Sequence, residues 1–156
     1  MKKILLVCMG NICRSPMAEG ILRDMAKKRG VSVTTDSAGT IKNHVGEAPD
    51  HRAAACMVRH GSDISDLRAR QVEPADFHAF DLLLAMDRDN LEGLRRIAPE
   101  AALIPKAKLM MDYAPMHPMR EVPDPYFGGD EGFEIVHRMV TTACTNLLNE
   151  LEADAR

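Results

Sequence analysis

Uninterrupted apolar runs and helically spaced apolar positions take turns along this chain of 156 residues. "ILLVC" at 4–8 is apolar throughout, the pattern of a strand covered on both faces. Within 17–29, Met17, Ile21, Leu22 and Met25 recur at helical spacing, and Gly30 stops the pattern. "VSVTTDSAG" at 31–39 alternates as a strand does and breaks at its glycine. Pro49 and Asp50 open a helix through "HRAAACMVRH", closed by Gly61. "FDLLLAMD" at 80–87 reads as a second fully apolar strand, with a helix around "NLEGLRRIA" behind it. "KAKLMMDY" at 106–113 reads as a fourth strand. Residues 114–130, "APMHPMREVPDPYFGGD", hold four prolines and two glycines and predict a long irregular loop. In the last helix Phe133, Val136, Val140, Cys144, Leu147 and Leu151 are spaced by three and four.

Strands alternating with helices predict an α/β fold, a parallel twisted sheet with helices on both faces. Right-handed crossovers make such a sheet doubly wound, and its ligands gather at the carboxyl ends of the strands, where Cys8 sits. Residues 1–156 read as a single domain, with no repeat, low-complexity tract or linker.

Composition narrows the function classes. A chain that is 46% hydrophobic and 28% charged folds around a core rather than staying disordered. A net charge of -3 gives no reason to expect nucleic acid as a partner. The basic groups "KKRG" at 27–30 and "LRAR" at 67–70 read as solvated faces. No segment approaches the roughly 20 apolar residues that cross a bilayer, so no membrane insertion is expected. The run Ile4 to Met9 is too short for a secretory leader and is followed at once by polar "GNICRS". Four cysteines (Cys8, Cys13, Cys56, Cys144) in a core of this size read as reduced thiols of a cytoplasmic protein.

The chemistry concentrates in "VCMGNICRSPMAEG", residues 7–20. Amides at a helix start lack partners and carry about half a positive charge from the macrodipole, so they attract anions. Pro16 suits a first helical position and Ser15 an N-cap. Gly10 and Asn11 tolerate positive φ, which lets the loop Met9, Gly10, Asn11, Ile12, Cys13, Arg14, Ser15 curl its amides toward one centre. Arg14 adds a planar fork matched to two phosphate oxygens. Cys8 then lies at the floor of a phosphate cradle, where helix amides and an arginine favour the thiolate and aim it at phosphorus. Ser15 is placed to donate its hydroxyl proton to that sulfur.

This stretch closely resembles the phosphate-binding loop of the low-molecular-weight protein tyrosine phosphatases, bacterial type. "DSAGT" (36–40), "VGEAPD" (45–50), "RARQV" (68–72), "FDLLLAMDRDNL" (80–91) and "VPDPYFGGDEGFE" (122–134) look like family segments in family order. The resemblance implies a four-stranded parallel sheet, no metal and no organic cofactor. It makes Cys8 the nucleophile of a cysteinyl-phosphate intermediate, Arg14 the phosphate-binding and transition-state group, and Asp124 the general acid that later acts as base. Asn11 and Ser37 match loop-bracing positions, and Tyr126 and Phe127 match the aromatic pair at the entrance. The implied substrate is a phosphotyrosine protein, such as a bacterial tyrosine kinase; a monomer is the default expectation. Residue chemistry supports Asp124, because Pro123 and Pro125 hold it extended on the longest irregular loop. Thiolate paired with neutral acid predicts activity peaking at mildly acidic pH.

The chain departs from the pattern of the family it resembles at three points. Asn43 stands where many bacterial members carry a tryptophan that walls the aromatic slot, and this chain has no Trp. Phe127 replaces a common tyrosine. Leu67 replaces a frequent histidine, which loosens the expected network behind Asn11. Cys8 and Cys13, five residues apart in one curled loop, are expected to form a disulfide on oxidation. A thiol-dependent arsenate reductase is the alternative enzyme, but its relay needs further cysteines and none lies between Cys56 and Cys144. A non-catalytic phosphate or phosphotyrosine-binding module would not need Asp124. No metal site is expected, since His44, His51, His60, His78, His117 and His137 show no paired spacing with the cysteines.

Overall fold

Ile4, Leu5, Leu6 and Val7 are all fully buried, so the first strand, β1 (Lys2–Cys8), must be covered on both faces. A computed structural model describes the whole chain, Met1–Arg156, and shows how. Alternate side chains of a strand point to opposite faces. Ile4, Leu6 and Cys8 enter a large core with α1 (Arg14–Arg29), α2 (His51–Arg59) and α5 (Asp130–Asp154). Leu5 and Val7 enter a smaller core on the other face, with α3 (Asp76–Ala79) and α4 (Arg88–Ile97). Each fully buried Leu or Ile contributes roughly 1.5–3 kcal/mol of transfer free energy, so a one-residue register slip is heavily disfavoured. That register is also what sends Cys8 toward α1.

The sheet has four parallel strands in the order β2 (Val33–Gly39), β1, β3 (Leu82–Ala85), β4 (Ala107–Leu109). From β1 the chain first moves to one side through α1, and from β2 it crosses to the other. The topological switch point therefore lies at the carboxyl ends of β1 and β3, where a doubly wound sheet opens a crevice. Cys8 ends β1, and Asp87 follows β3 two residues on. None of the helices is long and apolar enough to cross a membrane.

Local differences from the sequence reading have identifiable causes. Helix α1 begins at Arg14 with Cys13 as N-cap and no side-chain cap, so Ser15 lies inside the first turn and Pro16 at the third helical position. Pro16 is still tolerated there, because the first-turn amides have no helical acceptor. The strand expected over 106–113 pairs only through 107–109 and then turns as a 3-10 helix, Met110–Tyr113. Asp112 turns the chain by accepting from the Leu109 N–H at 3.1 Å. Met110 and Met111 are both buried, which is why the stretch reads as strand. The strand expected over 80–87 ends at Ala85, because Asp87 leaves the sheet to form a reciprocal capping box with Asn90 on α4. Helix α2 has its expected cap, Asp50, which accepts from the Arg52 N–H at 2.8 Å. Helix α3 and the 3-10 turn Ala101–Lys106 escape the periodic pattern because each is too short to show one.

At the end of β2, Gly39 passes against the loop that follows β1. A Cβ there would lie 2.6 Å from the Met9 carbonyl oxygen and 3.2 Å from the Asn11 nitrogen, both backbone atoms. Gly39→Ala is therefore expected to cost about 1–3 kcal/mol through overpacking and to weaken binding of inorganic phosphate by shifting residues 9–11. Thermal unfolding and a phosphate titration check this, and unchanged values in both would contradict the close approach.

Candidate active site

Two donors point at the Cys8 sulfur. Its Sγ lies 3.0 Å from the Ser15 hydroxyl oxygen and 3.3 Å from the Asn11 N–H. The direction of the hydroxyl bond follows from its neighbours. Asn11 Nδ2 donates to Ser15 Oγ at 2.7 Å and to Ser37 Oγ at 3.0 Å. Ser37 passes its own proton to Glu19 Oε1 at 2.7 Å. Ser15 Oγ, already accepting from the amide, directs its proton to the sulfur.

Asn11 is the hub of this arrangement. It is the one non-glycine residue with positive φ, at 58°, and its Oδ1 accepts the Arg70 N–H at 3.0 Å. Its amide group therefore ties the loop to α1, β2 and the 68–72 segment together. Asn11, Ser15, Ser37 and Glu19 are all buried. Leu67 instead packs partly buried against the large core, so the network closes through the Arg70 backbone without a histidine at 67. Glu19 was invisible to sequence reasoning, being one carboxylate among many on a helix. Burial raises its pKa despite the bond from Ser37.

Arg14 is 3% exposed and anchored from two sides. Its Nη1 donates to Asp87 Oδ2 at 2.6 Å and to the Val122 carbonyl at 3.1 Å, and its Nη2 lies 3.8 Å from Asp124 Oδ2. Burial opposes the charge, but Cys8, Asp87 and Asp124 outweigh it and raise the guanidinium pKa. The sequence reading placed Asp87 at the end of the strand expected over 80–87; besides holding Arg14 it caps α4. The loop carrying Asp124 is stitched down by the Val122 N–H, which donates to the Met86 carbonyl at 2.8 Å. Asp124 Oδ1 accepts the Tyr126 N–H at 3.0 Å. Arg52 holds the far side, donating to the carbonyls of Tyr126 at 3.0 Å and Gly128 at 3.3 Å, with its guanidinium 5.5 Å over the Tyr126 ring.

Above the sulfur is a hollow of about 140 Å³, lined by residues from three separate segments of the chain. Cys8, Met9, Gly10, Ile12, Cys13 and Arg14 line it from the loop, and Asp124, Tyr126 and Phe127 from the opposite side. Asn11, Ser15 and Ser37 sit behind the loop rather than on its wall. Asn43 is exposed and lies outside the hollow; Ile41 and His44 form that wall instead. The His44 ring rests against Gly10 and its Nδ1 pairs with Glu47 Oε2 at 2.5 Å. The absence of an aromatic at 43 pointed away from an aromatic wall that its neighbour supplies. Phe127 is 92% exposed at the rim and meets Tyr126 edge-on at 5.0 Å between ring centroids. Cys13, at the N-cap of α1, has its thiol pushed up to about 12 by burial and by Asp50.

A strand–loop–helix cradle with a thiol at its base and an arginine and an aspartate on its walls defines a thiol-based, phosphate-handling α/β protein. Residues 3–156 match the family described as "Low molecular weight phosphotyrosine protein phosphatase". A low molecular weight protein-tyrosine-phosphatase of Streptomyces coelicolor is 42% identical over 150 residues, covering 94% of this chain and 91% of that one. The crystal structure of YfkJ from Bacillus subtilis superposes with a TM-score of 0.93 at 37% identity, covering 100% of this chain and 98% of the other. Vibrio vulnificus Wzb, solved in complex with benzylphosphonate, superposes with a TM-score of 0.85 at 28% identity over 96% and 98% of the two chains. The chain belongs to the low molecular weight protein-tyrosine phosphatase family, and it is a hydrolase.

Asn11→Gly separates backbone need from side-chain need. Glycine relieves about 1–2 kcal/mol of left-handed strain but removes three hydrogen bonds worth about 1 kcal/mol each. It also strands two hydroxyls and an amide. The expected outcome is a net loss of about 2 kcal/mol by denaturant titration, with weakened phosphate binding; a stabilised variant would contradict the hub role.

Proposed function

We propose that this chain hydrolyses phosphotyrosine in proteins through a cysteinyl-phosphate intermediate. What supports this reading is one juxtaposition: the Cys8 sulfur lies under a hollow whose walls carry both Arg14 and Asp124. The phosphate dianion enters over the loop, where the N–H groups of Met9, Gly10, Ile12 and Cys13 make no hydrogen bond within the chain. Arg14 grips two equatorial oxygens and, fixed by Asp87, cannot swing away. The Cys8 thiolate attacks phosphorus, forming the S–P bond as the P–O bond to the tyrosine breaks. Asp124 delivers its proton to the departing phenolate oxygen. As a carboxylate, Asp124 then takes a proton from water, whose oxygen attacks phosphorus and releases inorganic phosphate. The Ser15 O–H directed at the sulfur stabilises the thiolate that leaves.

The walls support an aryl phosphate as substrate. Ile12, Ile41, His44, Tyr126 and Phe127 suit a flat aryl group above the phosphate. Wzb, which is structurally similar, carries benzylphosphonate, an aromatic phosphonate. Four cysteines without a disulfide, all buried, fit a reducing compartment such as the cytoplasm.

Cys8→Ser is expected to abolish hydrolysis of p-nitrophenyl phosphate, and Asp124→Ala to lower kcat for a phosphotyrosine peptide by about 10²–10⁴-fold. Loss for p-nitrophenyl phosphate, with its better leaving group, is expected to be smaller. Phosphotyrosine peptide should be favoured over phosphoserine peptide by about tenfold or more. Activity surviving in Cys8→Ser would remove the sulfur from the mechanism, and equal peptide rates would remove the aryl slot.

The same loop supports a reversible off state. Peroxide converts the Cys8 thiolate to a sulfenic acid, and the Cys13 thiol displaces water from it to give a disulfide, which dithiothreitol reduces. Cys13→Ser is expected to leave peroxide inactivation intact but to cut the fraction recovered with dithiothreitol. Equal recovery in both proteins would exclude the exchange.

A further inference from the structure

Away from the hollow, four side chains of metal-binding type meet where α2 packs on α5. Cys56 lies in α2 and His60 one turn on, at its C-cap; Glu134 and His137 lie one turn apart in the first part of α5. Glu134 Oε2 is 2.7 Å from His60 Nε2, and Glu134 Oε1 is 3.5 Å from Cys56 Sγ. The donor atoms of Cys56, His60 and Glu134 all lie within 4.8 Å of one another. The His137 ring stacks on His60, with centroids 3.6 Å apart and planes at 12°. The sequence reading found no paired Cys/His spacing, but Cys56 and His60 are four residues apart, one helical turn.

We propose that Cys56, His60 and Glu134 form a binding site for a zinc-type divalent cation that clamps α2 to α5. The donor set of one sulfur, one imidazole nitrogen and one carboxylate oxygen suits zinc, with a solvent molecule as fourth ligand. Tetrahedral bonds of about 2.0 Å to nitrogen and oxygen and about 2.3 Å to sulfur set the donors about 3.3–3.6 Å apart. The three donors, within 4.8 Å of one another, need only small adjustments to reach that spacing, and the hydrogen-bonded nitrogen–oxygen pair opens by about half an ångström when an ion replaces the shared proton. Binding forms the S–metal and N–metal bonds, releases the Cys56 thiol proton to solvent, and sends the proton shared by His60 Nε2 and Glu134 to the ring's Nδ1 or to solvent. That thiol is held up at about 11 by burial and by Glu134, so the ion must displace a proton to take the sulfur. Arg59 competes, with Nε 3.0 Å and Nη2 2.9 Å from Glu134 Oε1, and keeps that oxygen while the ion takes Oε2. Stacked His137, its pKa lowered by burial and by His60, fixes the plane of the ligating ring. The side chains of His60 and Glu134 are 37% and 29% exposed, which leaves the ion a path in. The clamp bears on the site at a distance, because Arg52 in the first turn of the same α2 holds the Asp124 loop.

The test uses Cys8→Ser protein, so that the nucleophile cannot bind metal, titrated with Co²⁺ and then Zn²⁺. One equivalent of Co²⁺ is expected to bind with a sulfur-to-cobalt charge-transfer band that is lost in Cys56→Ser and kept in Cys13→Ser. His60→Ala and Glu134→Gln, both changed at partly exposed side chains, should weaken binding at least about tenfold. They keep the test open should the buried Cys56→Ser fail to fold. Zinc at a hundred times its Kd should raise the unfolding midpoint by about 5–10 °C, reversed by chelator. No charge-transfer band, a band that persists in Cys56→Ser, or undiminished affinity in His60→Ala would overturn the proposal.

Discussion

The loop around the Cys8 sulfur exists because one buried amide holds it curled. Asn11 accepts a left-handed backbone, at φ 58°, and directs three side-chain hydrogen bonds to three different parts of the fold. The strain is about 1–2 kcal/mol, while the bonds together contribute more than that. The curl is thus a net gain rather than stored tension. It also has a directional consequence. With Asn11 donating to both serine oxygens, the Ser37 proton is left for Glu19 and the Ser15 proton for the sulfur. One side chain thereby determines the backbone path and the polarity of the hydrogen bonds under the reacting atom.

Charge at the site is arranged in the same economical manner. Arg14 is buried, and an unpaired buried guanidinium would be strongly unfavourable. Asp87 supplies the close partner from the β3 edge of the crevice, leaving the face toward Asp124 at 3.8 Å, too long for a hydrogen bond. Asp87 meanwhile caps α4 with its other oxygen, so the same carboxylate starts a helix and fixes the buried Arg14. Arg52 repeats this on the other rim, joining the Asp50 cap of α2 to carbonyls of the loop that carries Asp124.

Much of this was readable beforehand, and the misreadings share a cause. Strand β1 and the ends of α1, α2 and α4 follow from apolar periodicity and from Gly30, Asp50 and Gly61. The C-x5-R-S run marked the loop, and the Pro-Asp-Pro run marked the opposite rim. Ser15 looked like a cap because Ser-Pro usually is one, yet the sulfur and Asn11 claim its hydroxyl. Asn43 looked like a missing wall because only one position was considered, whereas the turn at 41–44 presents Ile41 and His44. Met110 and Met111 extended an apparent strand because burial, not pairing, is what an apolar run reports.

The amino-acid sequence by itself determined which residues are buried, where most helices begin and end, and that a thiol, an arginine and a helix start share one loop. These are local consequences of side-chain volume, polarity and backbone preference, expressed within a turn or two of chain. The tertiary structure alone decided which carboxylates face Arg14, which ring walls the hollow, and that Cys56 and His60 meet Glu134. The Arg14–Asp87 and His60–Glu134 pairs join residues 73 and 74 positions apart. They depend on strand order and helix packing, which are set by burying the whole apolar surface at once and leave no mark at any single position.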